Sequence, residues 1–152
     1  MLSYVIDPTF DKRSILEMVG ELLGVNIFTI KPELSVAQVH ARDFERCCFP
    51  AVECWLQAFR DASFVVTDSY HGTIFSILFN KPFISVGNRV RGLSRFESLL
   101  SQFGLLDRLV ENKMGITPKL INNQINWDAV NEKRRAIAKE GQEFLKSHLF
   151  RD

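Results

Sequence analysis

The stretch at residues 64–76 limits the possible folds of this chain more than any other. Residues 64–67 are apolar or β-branched and show no alternation, which is typical of a strand covered on both faces. Small and polar residues follow as far as Gly72, and from Thr73 the sequence is apolar again, as in a buried helix. The pattern therefore predicts a central strand that ends in a sharp turn and leads directly into a helix.

The rest of the chain predicts further strands that alternate with helices. Strands are expected at residues 2–6, 26–30, 83–86 and 107–110, with helices before, between and after them. A helix starting near Pro50 carries Trp55 as a core residue, and a long final helix follows Asn126 as its cap. Residues 31–49 are expected to be a loop with a short helix near 39–44, and residues 112–124 a loop. The predicted fold class is α/β, with an open, mostly parallel sheet and helices on both faces.

Composition limits the domain count and the partners. A length of 152 residues fits one domain, 1–152, and a net charge of +1 gives no reason to expect nucleic acid as a partner. The three cysteines, Cys47, Cys48 and Cys54, show no metal-binding spacing and are interpreted as reduced thiols. We see no signal peptide and no integral membrane segment, and the expected location is cytoplasmic.

The turn after the predicted central strand is the expected ligand site. Ligands of open α/β sheets bind outside the carboxyl ends of the strands, and a helix N-terminus there offers free N–H groups and a partial positive charge. Ser69 is expected to cap the helix, Gly72 to let a ligand approach the backbone, and His71 to point into the crevice. The alternative for His71 is a buried histidine bonded to the backbone.

Three arginines follow the next predicted strand and should share this edge of the sheet. Arg89, Arg91 and Arg95 offer guanidinium groups that bind phosphate and carboxylate bidentately. Together with the turn they suit a small, highly anionic ligand. The plainer interpretation is that Asp68 and Ser69 only cap a helix and that the arginines form surface ion pairs. The sequence contains no glycine-rich dinucleotide motif and no Walker motif, and Ser69 and His71 do not form a hydrolase triad.

The residues of this turn also carry a resemblance to a known family. Residues 66–76, followed by 80–84, closely resemble the polysaccharide pyruvyl transferase family. Residues 55–62 and the segments Arg91-Gly92 and 95–100 share the likeness, which runs roughly from Tyr4 to Leu109. The resemblance implies a Rossmann-like domain similar to the C-terminal, donor-binding half of a GT-B fold. It also implies an N-terminal half as a partner of this chain.

The resemblance further implies an activity. The family transfers pyruvate from phosphoenolpyruvate to hexose hydroxyls and forms a cyclic ketal on a cell-surface polysaccharide. The implied partners are phosphoenolpyruvate as co-substrate and a glycan or lipid-linked sugar as acceptor, and no other cofactor or metal is expected.

The resemblance places His71 and Asp68 as the catalytic residues. His71 matches the motif histidine, which either binds the donor or transfers a proton, and Asp68 either orients His71 or holds the turn, which we favour. The expected substrate-binding residues are Ser69, Tyr70, Gly72, Thr73, Arg89, Arg91 and Arg95.

Two other functions stay open at this point. A GT-B glycosyltransferase half would bind a nucleotide sugar in the same crevice, with Glu97 or Asp107 as a candidate for the ribose. A non-catalytic carbohydrate-binding module would keep the fold alone.

Overall fold

A five-stranded parallel sheet forms the centre of the chain, for which a computed structural model describes residues 1–32, 46–87 and 92–149. The strands β1 to β5 stand in the order β2-β1-β3-β4-β5 and comprise Leu2–Tyr4, Phe28–Thr29, Val65–Thr67, Phe83–Val86 and Leu109–Val110. The helices α1 to α6 comprise Phe10–Leu23, Val52–Asp61, Tyr70–Leu78, Leu93–Phe103, Pro118–Asn122 and Trp127–Leu149. The predicted α/β fold is therefore confirmed.

Two apolar clusters cover the two faces of the sheet. On one face Ile15 and Val19 of α1 pack against Val66, with further strand residues around them. On the other face Phe59 of α2 and Ile77 of α3 pack with the neighbouring strand residue Val65. Val65 and Val66 point to opposite faces because successive side chains alternate along a strand. Helices thus lie on both sides of the sheet, as predicted.

The strands that hold the site end in register. Tyr4 of β1 pairs with Thr67 of β3, and Thr67 pairs with Ser85 of β4. The segments that follow these residues therefore emerge side by side at one edge of the sheet. The predicted strand at residues 83–86 has the bounds that the structure shows, whereas the strand expected at 26–30 is reduced to two residues.

The prediction of a loop at residues 112–124 is wrong. A 3-10 turn, Lys113–Gly115, and the helix α5 occupy this segment. Thr117 caps α5, since its hydroxyl accepts a hydrogen bond from the Leu120 N–H at 3.1 Å, and Pro118 stands at the first helical position, where proline is tolerated. The short helix expected near 39–44 falls outside the described residues.

Arg108, a buried cation, holds α5 against the sheet. Its guanidinium donates to the carbonyl oxygens of Leu120 at 3.0 Å and Asn123 at 2.6 Å. Burial lowers the pKa of Arg108, and the nearby carboxylate of Asp107 opposes that shift. This buried arginine therefore stabilises the backbone of α5.

The final helix packs over its first turns only. Asn126 caps α6 as predicted, since its side-chain oxygen accepts from the Ala129 N–H at 3.1 Å. The apolar residues of α6, which are Trp127, Val130, Ile137, Phe144 and Leu145, also predict a packing stripe along the whole helix. Val130 is buried, but Phe144 and Leu145 are 61% and 52% exposed, so this prediction is wrong for the second half of the helix.

Candidate functional site

A cavity of about 220 Å³ lies where the strand order of the sheet reverses. The chain passes from β1 outwards to β2, and then returns to β3 on the other side of β1. The loops that leave the carboxyl ends of β1 and β3 therefore diverge, and this is the place where open α/β sheets bind ligands. The cavity is lined by Ile6, Asp7, Lys12, Asp68, Ser69, Tyr70, His71, Arg95 and Phe96.

The turn after β3 is fixed by hydroxyl groups. The Thr67 hydroxyl donates to the Tyr4 carbonyl at 2.7 Å and accepts from the Ser69 N–H at 3.0 Å, which ties the ends of β1 and β3 together. Ser69 caps α3 as predicted, because its side-chain oxygen accepts from the Gly72 N–H at 3.3 Å. The helix begins at Tyr70, three residues before the predicted start, so its first turn lies at the cavity.

His71 stands in the first turn of α3 with an exposed side chain that lines the cavity. The expected position in the crevice is confirmed, and the alternative of a buried histidine is wrong. The Tyr70 ring contacts the imidazole edge to face, with the ring centroids 6.0 Å apart. Both roles expected for His71, donor binding and proton transfer, stay predictions.

Asp68 holds the loop that follows β1. Its carboxylate accepts hydrogen bonds from the backbone N–H groups of Ile6 at 2.5 Å and Asp7 at 3.1 Å. The ammonium of Lys12 lies 2.6 Å from the oxygen that also accepts from Asp7. These contacts match the favoured role of holding a turn, and across the described part of the chain neither oxygen bonds to His71. A catalytic role of Asp68 stays a prediction.

Gly72 and Thr73 lie beneath the turn and do not line the cavity. A Cβ on Gly72 would stand 2.3 Å from the Thr67 hydroxyl oxygen, so glycine here allows α3 to approach β3. The Thr73 hydroxyl lies 3.2 Å from the Ser69 carbonyl oxygen and 2.7 Å from the Ser85 hydroxyl. The structure thus gives both residues a packing role, and their part in substrate binding stays a prediction.

Arg95, in the first turn of α4, also lines the cavity. Its guanidinium carbon lies 5.5 Å from the centre of the Tyr70 ring, within the range of a cation–π contact. Tyr70 in turn meets Phe96 edge to face at 5.9 Å. The structure therefore brings Arg95 and Tyr70 to the cavity together, as predicted, while Arg89 and Arg91 fall outside the described residues.

The loop after β1 supplies cavity residues that the sequence analysis missed. Ile6 and Asp7 follow that strand, and Lys12 lies in the first turns of α1. The rule that placed the ligand at the carboxyl ends of strands applied equally to β1 and would have found this loop. Lys12 was harder to find, because its partner Asp68 is 56 residues away in the sequence.

Metal and membrane sites are not seen among the residues that the structure describes. Across residues 1–32, 46–87 and 92–149, no group of three or more histidine, cysteine or acidic residues is placed to hold a metal ion. In the same ranges no helix has both the length and the apolar character needed to cross a bilayer.

The fold and the cavity define a class: an α/β domain with a small cavity at the switch point of a parallel sheet. The family model for polysaccharide pyruvyl transferase matches residues 6–89, which include α1, β3, α3 and most of the cavity residues. The chain therefore belongs to the polysaccharide pyruvyl transferase family. Arg95 and Phe96 lie beyond the matched residues. Neither a curated protein nor a solved structure gives a significant match.

Proposed function

We propose that this chain is the donor-binding half of a polysaccharide pyruvyl transferase. It binds phosphoenolpyruvate, whose pyruvyl group is transferred to two hydroxyls of a hexose in a cell-surface polysaccharide. An N-terminal half and a glycan or lipid-linked sugar complete the reaction, which takes place in the cytoplasm. Family membership over residues 6–89 supports the transferase assignment.

The observation that carries the donor assignment is the set of groups around one cavity. The exposed His71 and the exposed Arg95 line it together with the N-terminal turn of α3. Phosphoenolpyruvate carries a phosphate and a carboxylate, and both are anions that guanidinium groups and helix N-termini bind. A cavity of about 220 Å³ suits a small donor.

The reaction assigns a proton step to His71. Protonation of the donor methylene creates an oxocarbenium-like carbon, which one sugar hydroxyl attacks. Inorganic phosphate then leaves, and the second hydroxyl closes the ketal ring. Imidazole can deliver a proton near neutral pH, and the exposed position of His71 at the cavity gives it access to a bound donor.

Binding measurements on the purified chain test this function. We expect isothermal titration calorimetry to detect binding of phosphoenolpyruvate and no binding of uridine diphosphate or guanosine diphosphate. Binding of a nucleoside diphosphate in place of phosphoenolpyruvate would favour a glycosyltransferase half. Binding of none of them would reject the donor assignment and leave a carbohydrate-binding module.

A further inference from the structure

We propose that Lys12 is a second cationic residue of the donor site and contacts one of the two anionic groups of phosphoenolpyruvate. This inference rests on the proposed function. It adds to that function a residue of α1, which contacts Asp68 of the turn that carries the family motif. Arg95 and Lys12 would then hold the two anionic ends of one ligand.

Lys12 is placed in the cavity wall by its neighbours. Its side chain is only 8% exposed, yet it is among the residues that line the cavity. The Nζ atom donates to the Asp7 carbonyl oxygen at 2.8 Å and to the Asp68 carboxylate at 2.6 Å. An ammonium has three N–H donors. Within the described ranges two of them are used, so one remains for a ligand.

A contribution to the stability of the fold does not explain why Lys12 and Asp68 form a buried ion pair. Removing an ammonium from water is costly, and buried pairs are often no better for stability than apolar residues of the same size. Asp68 is already held by the backbone N–H groups of Ile6 and Asp7. The pair is therefore better explained by what it adds to the cavity.

The charge of Lys12 changes what the cavity can bind. Without it, the Asp68 carboxylate would stand uncompensated in the wall and would repel an anion. With it, the charge of Asp68 is balanced and the wall still presents an N–H donor. Arg95 and His71 lie on the other elements that line the cavity. A ligand with two separated anionic groups fits this distribution better than one with a single charge.

Lys31 provides a matched control. Its ammonium also donates twice at the end of β1, to the carbonyl oxygens of Val5 at 2.7 Å and Ile6 at 2.6 Å. Lys31 is not among the residues that line the cavity. Lys31→Met therefore removes two lysine hydrogen bonds from the same loop without removing a side chain that lines the cavity.

The test measures phosphoenolpyruvate affinity and thermal stability in Lys12→Met and Lys31→Met. We expect Lys12→Met to weaken binding by about tenfold or more, as for the loss of a charge-assisted hydrogen bond. Lys31→Met should bind as the wild type does. In the wild type, the donor should shift the ε-methylene NMR signal of Lys12 and leave that of Lys31 unchanged, and this measurement serves if Lys12→Met does not fold.

The possible failures are distinct. A wild-type chain that binds no phosphoenolpyruvate rejects the proposed function, and this assignment with it. Normal binding by Lys12→Met rejects the assignment of Lys12 alone. Weaker binding by that variant without a shift of the wild-type Lys12 signal also rejects it, since the effect then comes from the unpaired Asp68.

Discussion

At the scale of single residues, His71 allows proton transfer to be separated from fold stability. Its side chain is exposed at the cavity, so His71→Gln should leave the melting temperature unchanged. Glutamine still donates a hydrogen bond to an anion but cannot deliver a proton. We therefore expect His71→Gln to lower the rate of turnover more than the affinity for phosphoenolpyruvate. Turnover is measured as transfer to a hexose acceptor by an enzyme that includes both halves. Turnover of the variant near the wild-type rate would show that His71 does not transfer the proton.

Arg95 is the residue whose geometry can be tested by the most conservative change. Arg95→Lys keeps the charge but loses both the bidentate fork and the planar contact with the Tyr70 ring 5.5 Å away. We expect titration to show phosphoenolpyruvate binding that is about tenfold weaker, which is the loss of one charge-assisted hydrogen bond. Arg60→Lys is the control, because Arg60 is paired with Asp61 on an exposed surface. Equal affinities in the two variants would make Arg95 an ordinary surface residue.

At the scale of elements, Gly72 fixes the distance between α3 and β3. Gly72→Ala would place a Cβ 2.3 Å from the Thr67 hydroxyl oxygen, in the contact that joins the two strand ends. We expect the free energy of unfolding to fall by about 1–3 kcal/mol, as for other overpacked sites, and phosphoenolpyruvate binding to weaken as the turn shifts.

Gly141, in the exposed half of α6, is the matched control for this change. A Cβ there would meet nothing within 4 Å. Gly141→Ala should therefore stabilise the chain by up to about 1 kcal/mol, the difference in helix propensity. Urea unfolding of both variants measures the two free energies of unfolding. A Gly72→Ala variant as stable as the wild type would show that α3 can move away from β3 without loss of stability.

Local pattern predicted the elements that are apolar and sharply bounded. The strand β4 lies between Pro82 and Gly87, and its four residues were found with the correct bounds. The start of α3 was missed because its first turn is polar, and α5 was missed because only five residues form it. In the site, the turn at residues 68–73 was predicted, but the contact of Lys12 with Asp68 depends on strand order, which no local pattern contains.

At the scale of the whole molecule, stability should be concentrated in the centre of the sheet. β3 and β4 are buried along their whole length, whereas the outer strand β2 has two exposed residues. In hydrogen exchange we expect the amides of Val65 and Val66 to be among the slowest and to open only with global unfolding. Rapid exchange at both positions would contradict a central β3.

The carboxylate of Asp68 accepts hydrogen bonds from the backbone N–H groups of Asp7 and Ile6, which precede Asp68 by 61 and 62 positions. Closing so long a loop costs entropy that the paired strands have to offset, so we expect this contact to form late when the chain refolds. Helical signal can recover earlier, because helices form within microseconds. Binding of phosphoenolpyruvate at the proposed donor site should therefore recover after the helical signal, once β1 and β3 have paired.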